Sequence, residues 1–224
     1  MHKLGVLGRF EIQLLYDLVC PGMTVVDVGA NQGIYTLILA NLARPGRVFA
    51  FEPEPMLFRQ LVANTRANKA ENVVCHPIAI SRQSGRLSLQ SGKLHSGNNR
   101  IVHQPRPDSI EVAAASLDEL FAGKVVDFLK IDVQGWEAEA FAGAKEVLRQ
   151  NRDIILMFEF WPYGLRTAGT EPAELLRFLA SLGFNLRRIK QGKLVQLDQD
   201  TLPDRSGKLA YWDLIGTRNS RILG

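Results

Sequence analysis

Residues 24–33, TVVDVGANQG, constrain this chain more than any other segment. Val25, Val26 and Val28 form a short apolar run with Asp27 near its end. Gly29, Asn31 and Gly33 then lead into a helical stretch, IYTLILANLA. The pattern is a buried strand, a tight turn and a helix. Glycine supplies turn conformations that other residues resist and lets backbone approach a ligand closely. A dinucleotide turn reads G-x-G-x-x-G; here the middle glycine is missing and Asn31 stands near it. A helix N-terminus still offers N–H groups to an anion. The acid ahead of the turn nevertheless suits a cationic or amine-bearing ligand better than a pyrophosphate. That combination points to S-adenosylmethionine, with its sulfonium and zwitterionic tail. A plain glycine turn between strand and helix is the alternative.

Residues 47–52, RVFAFE, form a second apolar run ending in an acid. Glu52 lies about 20 residues past the glycine turn, the spacing of a carboxylate that grips ribose hydroxyls. Pro53 and Pro55 follow and open the next helix, since proline is tolerated in a first turn.

Strand and helix patterns alternate along the chain. Helices are expected over 10–19, 34–43, 55–69, 136–150 and 171–182, with a capped short helix at 116–119. Strands are expected over 24–28, 47–51, 72–80, 86–90, 110–114, 128–133, 154–160, 184–189, 193–197 and 209–217. Residues 91–109 are polar and rich in Gly, Asn, Arg and Pro, the composition of a long loop. Long loops in compact domains often serve as lids or binding loops. The alternation implies an α/β fold with a mostly parallel sheet covered by helices on both faces. Gln191-Gly192 makes a hairpin and an antiparallel edge. One domain over 1–224 is expected, with 1–22 as an N-terminal helical segment.

Composition excludes several classes. The formal net charge is +4, but the basic residues are scattered rather than blocked, so nucleic acid is not indicated as a partner. The apolar runs are too short to span a bilayer. Glu11 and Asp17 interrupt any signal-peptide core. Cys20 and Cys75, both in apolar sequence surroundings, are expected to be reduced core thiols, and a cytoplasmic protein is expected.

A third cluster, KIDVQGWE at 130–137, runs out of a strand into a helix. Ligands of open α/β sheets sit outside the carboxyl ends of the strands. Asp27, Glu52, Asp132 and Glu159 all fall at or near such ends, and four acids on one rim exceed what a core needs.

The ordered set VVDVGANQGIYT, FAFEP, NVVCHPIAIS, ASLDEL, FLKIDVQGWEAEAF, AGAKEVL and FEF resembles the FkbM family of S-adenosylmethionine-dependent methyltransferases. The resemblance is strong over about residues 10–160. It implies a Rossmann-like class I methyltransferase fold with seven strands, the last antiparallel. It also implies O-methylation of a hydroxyl on a sugar, glycan or natural product. Carried across, Asp27, Gly29, Asn31 and Gly33 would hold the methionine moiety, and Glu52 with Pro53 the ribose. Ile78 and Ala79 would sit by the adenine, and Asp132 would line the methyl-transfer face. One position departs from the pattern: the family usually reads Asp-Val-Glu-Gly, and here Gln134 replaces the glutamate.

An alcohol is a poor nucleophile while protonated, so a base or metal should assist. The candidates are Asp132, Glu159, His95 and His103. Asp132 and Glu159, with Gln134 nearby, offer oxygens to Mg²⁺. No dense acidic cluster and no Cys/His spacing for zinc appears, so no metal ligands are assigned. Trp161 and Tyr163 could stack on a sugar face. A non-catalytic S-adenosylmethionine-binding module and, less favoured, an NAD-dependent oxidoreductase are the competing readings.

Overall fold

The computed structural model describes residues 9–90, 92, 99–197 and 210–219. His95 and Leu209 lie outside them. The main sheet runs β11-β10-β12-β9-β8-β1-β2-β3. Its parallel heart is β3 (Val73–His76), β2 (Arg47–Phe51), β1 (Thr24–Val28), β8 (Phe128–Ile131) and β9 (Ile155–Phe160). β12 (Trp212–Thr217) joins β9 antiparallel, and β10 (Asn185–Lys190) and β11 (Lys193–Gln196) continue the antiparallel edge. Among the described residues, eight strands stand in the main sheet where seven were expected. The extra one, β11, is folded back onto β10 by Gln191 (φ 50°) and Gly192 (φ 71°). Positive φ at both centres of a two-residue turn matches the strand twist of a hairpin.

Strand period assigns the two faces. Val25, Phe128, Ile155, Met157 and Ile215 pack under α1 (Arg9–Leu18) and α2 (Ile34–Ala43) through Leu15, Leu39 and Ala43. Val26, Val28, Leu129, Ile131, Leu156 and Phe158 face the helices of the second half. These are α5 (Glu137–Ala142), α6 (Lys145–Gln150), α7 (Pro162–Thr167) and α8 (Pro172–Ser181). Asp27, Lys130, Glu159 and Asp213 are two residues from members of the first set, so they share its face at the rim of the sheet.

Two elements expected to be continuous are broken. The strand anticipated over 72–80 stops at Pro77, which has no N–H for a ladder. β3 stays in the main sheet, and β4 (Ala79–Ile80) enters a second sheet, β4-β7-β5-β6. The helix anticipated over 136–150 divides at Gly143 into α5 and α6. There a Cβ would lie 2.0 Å from the Ser81 carbonyl oxygen. The second sheet contains β5 (Gly85–Gln90), β6 (Arg100–Val102) and β7 (Ser109–Ala115). The stretch 91–109, expected as a loop, therefore holds a strand. The Ser116–Glu119 capping box opens α4 (Leu117–Leu120) as anticipated. α3 (Pro55–Ala67) begins with proline and is capped by the Glu54 side chain. Cys20 is exposed and Cys75 half-buried rather than core, and both are free.

Candidate active site

The glycine turn is saturated with internal hydrogen bonds. Gly29 and Ala30 both donate to the Phe51 carbonyl oxygen at 3.0 Å, and Asn31 N–H donates to Glu52 Oε2 at 2.8 Å. Gln32 N–H goes to Asn31 Oδ1 at 2.8 Å, and Gly33 N–H to the Ala30 carbonyl at 2.9 Å. No N–H of 29–33 is left to cradle a pyrophosphate. Gly29 has φ 77°, and a Cβ there would meet the Asp132 carbonyl oxygen at 1.9 Å. Only glycine lets β1 and β8 end this close together.

Glu52 follows directly on β2 and is buried. Asn31 N–H holds one of its oxygens, and Glu54 N–H holds the other at 2.9 Å. Burial pushes its carboxyl up to about 7, against the pull of these two backbone donors. Each oxygen keeps a lone pair, so two further donors, such as a vicinal diol, can be accepted. Pro53 sits between Glu52 and the cap of α3. Ile78 packs half-buried on the main core, while Ala79 is buried in the core of the second sheet with Leu89, Val112 and Ala114.

Asp27 is fully buried and does not face open space. Its Oδ1 is paired with Lys130 Nζ at 3.1 Å, and its Oδ2 accepts from Thr36 Oγ1 at 2.7 Å. Lys130 lies opposite Asp27 in the β1–β8 register and sits 4.8 Å over the Tyr35 ring. Burial works against its charge, but Asp27, Asp132 and Glu159 outweigh that and hold it protonated. Burial, with Asp213 and Asp132, drives the Tyr35 hydroxyl strongly upward.

Asp132 and Glu159 come together at the ends of β8 and β9. Ile131 pairs with Phe158, so the two acids are next in register. A single nitrogen joins them: Gln134 Nε2 donates to Asp132 Oδ1 at 3.0 Å and to Glu159 Oε2 at 2.9 Å. Asp213 is the antiparallel partner of Glu159. Burial, then the charges of Asp132, Glu137 and Asp213, holds the Glu159 carboxyl well above the usual carboxylate range, with Lys130 opposing. Glu137 is wholly buried. Its Oε1 accepts from Val133 N–H at 3.2 Å and Gly135 N–H at 3.0 Å, and its Oε2 has no partner. Burial raises Glu137 to about 7.

His103 sits away from this pair. Its Nε2 bonds the Ala168 carbonyl at 2.8 Å, and its ring lies 5.2 Å from Trp136, so it docks the second sheet onto the rim. Trp161 and Tyr163 contact each other at 5.7 Å at the start of α7. Among the described residues, no group of three or more His, Cys, Asp or Glu is placed to hold a metal. The donor set does not fit Mg²⁺, because the atom lying between the two carboxylates is an amide nitrogen.

Sequence reasoning had assigned no role to Lys130, Glu137, Tyr35 or Asp213. Lys130 carried a signal, a lone lysine inside an apolar strand, which needs a buried counter-charge.

The profile of the methyltransferase FkbM domain matches residues 27–186. The chain belongs to the FkbM methyltransferase family. Among curated FkbM-like relatives, the hexuronic acid methyltransferase AglP of Haloferax volcanii is 28% identical over 174 residues, covering 75% of this chain and 66% of its own length. The 2-O-methyltransferase NoeI of Sinorhizobium fredii is 27% identical over 165 residues, covering 63% and 65%. The chain thus spans about two thirds of these relatives. The crystal structure of an FkbM methyltransferase from Methylobacillus flagellatus superposes with a TM-score of 0.57 at 15% identity, covering 90% of this chain and 47% of that one. A Streptococcus mutans structure solved in complex with SAH gives 0.56 at 12% identity, covering 94% and 98%. The fold is the Rossmann-like class I methyltransferase fold. Among the described residues, no helix is long and apolar enough to cross a membrane.

Proposed function

We propose that this protein is an S-adenosylmethionine-dependent O-methyltransferase acting on a hydroxyl of a sugar, glycan or natural-product small molecule. The observation that carries the reading is the closeness of Gly29 to Asp132, which brings the glycine turn beside the Asp132–Glu159 pair. The residues fit the cofactor. Glu52 offers two oxygens to a ribose diol beside Pro53. The turn from Gly29 through Asn31 to Gly33 would lie along the methionine moiety, its glycines letting the backbone come close. Ile78 and Ala79 lie beyond β3 on the adenine side. Asp27 acts through its charge and through the Lys130 pair rather than by contact. Bound there, the cofactor supplies a methyl group made electrophilic by a sulfonium.

Glu159 is the general base. Its carboxylate would take the proton of the acceptor hydroxyl. Burial and the neighbouring acids hold its carboxyl above the ordinary carboxylate range, which makes it a stronger base than an exposed glutamate. Asp132 stays beside it as the charged neighbour. His103 docks the second sheet beside Trp136 rather than acting as the base, and His95 belongs to the same polar segment of the sequence. An acid-lined rim repels a phosphate backbone, which favours small or glycan acceptors over nucleic acid. Two free thiols accord with a cytoplasmic setting.

The test is incubation with methyl-tritiated S-adenosylmethionine and a panel of sugars, glycans and polyhydroxylated small molecules. Label recovered as a methyl ether supports the reading. Label found only on amines or nucleic acid overturns it.

A further inference from the structure

Two carboxylates next to each other at adjacent strand ends repel, and something must sit between them. In this chain it is Gln134. The backbone around it is built for the task. Gln134 itself has φ 53° and Gly135 φ 101°. A non-glycine residue in the left-handed region is uncommon and costs stability unless its surroundings fix it. Here they do. The buried Glu137 holds both flanking N–H groups, Val133 and Gly135, on one oxygen. A Cβ on Gly135 would lie 2.7 Å from the Gly164 carbonyl carbon, so the turn is wedged against α7. The side chain that emerges spends its amide nitrogen on Asp132 and Glu159 together.

The chemistry decides the orientation of that amide. Its oxygen would oppose two acceptors, whereas its nitrogen carries two N–H groups and satisfies one oxygen of each acid. A glutamate at this position would instead add a third acceptor and a further charge. The charged groups that act most strongly on Glu159 are Asp132, Glu137, Asp213 and the cation Lys130. The amide is a neutral donor set between two members of an acidic group.

We propose that Gln134 is the positioning residue of the methyl-transfer site: it yokes Asp132 to Glu159 through one nitrogen, occupies Glu159 Oε2, and leaves Oε1 to receive the acceptor proton. This deepens the methyltransferase reading and rests on it for the identity of the acceptor. The yoke itself can be tested without an acceptor.

The experiment is a carbon NMR titration of protein labelled at the glutamate side-chain carboxyls, with the Glu159 signal assigned by loss in Glu159→Gln. Gln134→Leu keeps the volume and removes the donor. Gln134→Asn keeps an amide one methylene short of both acids and tolerates the left-handed backbone, so it carries the test if the leucine variant fails to fold. Loss of hydrogen bonds to an ionised group should raise the Glu159 midpoint by about one pH unit or more in either variant. Gln134→Glu should raise it further by adding a charge. A Glu159 midpoint unchanged in folded Gln134→Leu or Gln134→Asn overturns the proposal. Calorimetry of the unsubstituted protein with S-adenosylmethionine separates the two claims: failure to bind removes the methyltransferase reading whatever the NMR titration shows.

Discussion

Asp27 and Lys130 face each other across the parallel strands β1 and β8, with Oδ1 and Nζ 3.1 Å apart and almost no exposure to solvent. The pair sits directly beneath the glycine turn and beside the Asp132–Glu159 pair. It fixes the floor of the site and holds a cation, Lys130, that faces those acids.

Removing one member of a buried ion pair strands the other, at a cost of about 3–5 kcal/mol. Asp27→Asn and Lys130→Met should each lower the melting temperature by about 10 °C for a chain of this size. Thermal unfolding followed by circular dichroism checks this. A fall of a degree or two in both variants would mean the pair contributes little.

Glu52 predicts a proton released on cofactor binding. Burial holds its carboxyl near 7, and a diol donating to it favours the ionised form. Affinity for S-adenosylmethionine should therefore rise from pH 6 to 8, and the calorimetric heat at pH 7 should depend on buffer ionisation enthalpy in the sense of proton release. Glu52→Gln turns an N–H toward the Asn31 or Glu54 N–H and should weaken binding by about 10- to 100-fold. Proton uptake on binding, or unchanged affinity in the variant, would count against ribose recognition.

Glu137 gives a stability signature. Its folded carboxyl titrates near 7, above the ordinary 4.5 of the unfolded chain, so the folded state keeps a proton that the unfolded state has lost. Stability from this group is complete below about pH 4.5 and falls as pH rises toward 7. Glu137→Gln retains an oxygen for Val133 and Gly135, and should leave the protein unchanged at pH 5 and stabilise it at pH 8 by up to about 3 kcal/mol. Denaturant melts at the two pH values decide the matter. Equal or lower stability of the variant at pH 8 would show that Glu137 is held as a carboxylate.

Gly29→Ala should fail for a steric reason. The added Cβ meets a backbone oxygen at 1.9 Å and demands φ 77° from alanine. The loss should be about 2 kcal/mol or more, together with loss of cofactor binding. A stable variant with normal binding would show that the two strand ends can part.

The glycine turn and the buried Glu52 beside it were legible because they are local. One strand, one turn and one acid at fixed spacing carry them, and residues 24–33 and 47–52 declare each in sequence. The acid pair was half legible: strand ends marked Asp132 and Glu159, but their junction through Gln134 depends on β8–β9 register and on a left-handed backbone. Lys130 and Asp27 lie 103 residues apart, and their pairing follows from parallel-strand register rather than from any local pattern. Strands over 86–90 and 110–114 were anticipated, but not that they form a separate sheet, because Pro77 divides what seems a single apolar run and sends Ala79–Ile80 out of the main sheet.

The central claim is that the rim holds S-adenosylmethionine and not a dinucleotide. Calorimetric titration of the purified protein with S-adenosylmethionine, and separately with NAD(H), tests it most directly. The account predicts one-to-one binding of the first and none of the second. Binding of NAD(H) alone would contradict it, because every N–H of the 29–33 turn would then have to abandon its internal partner.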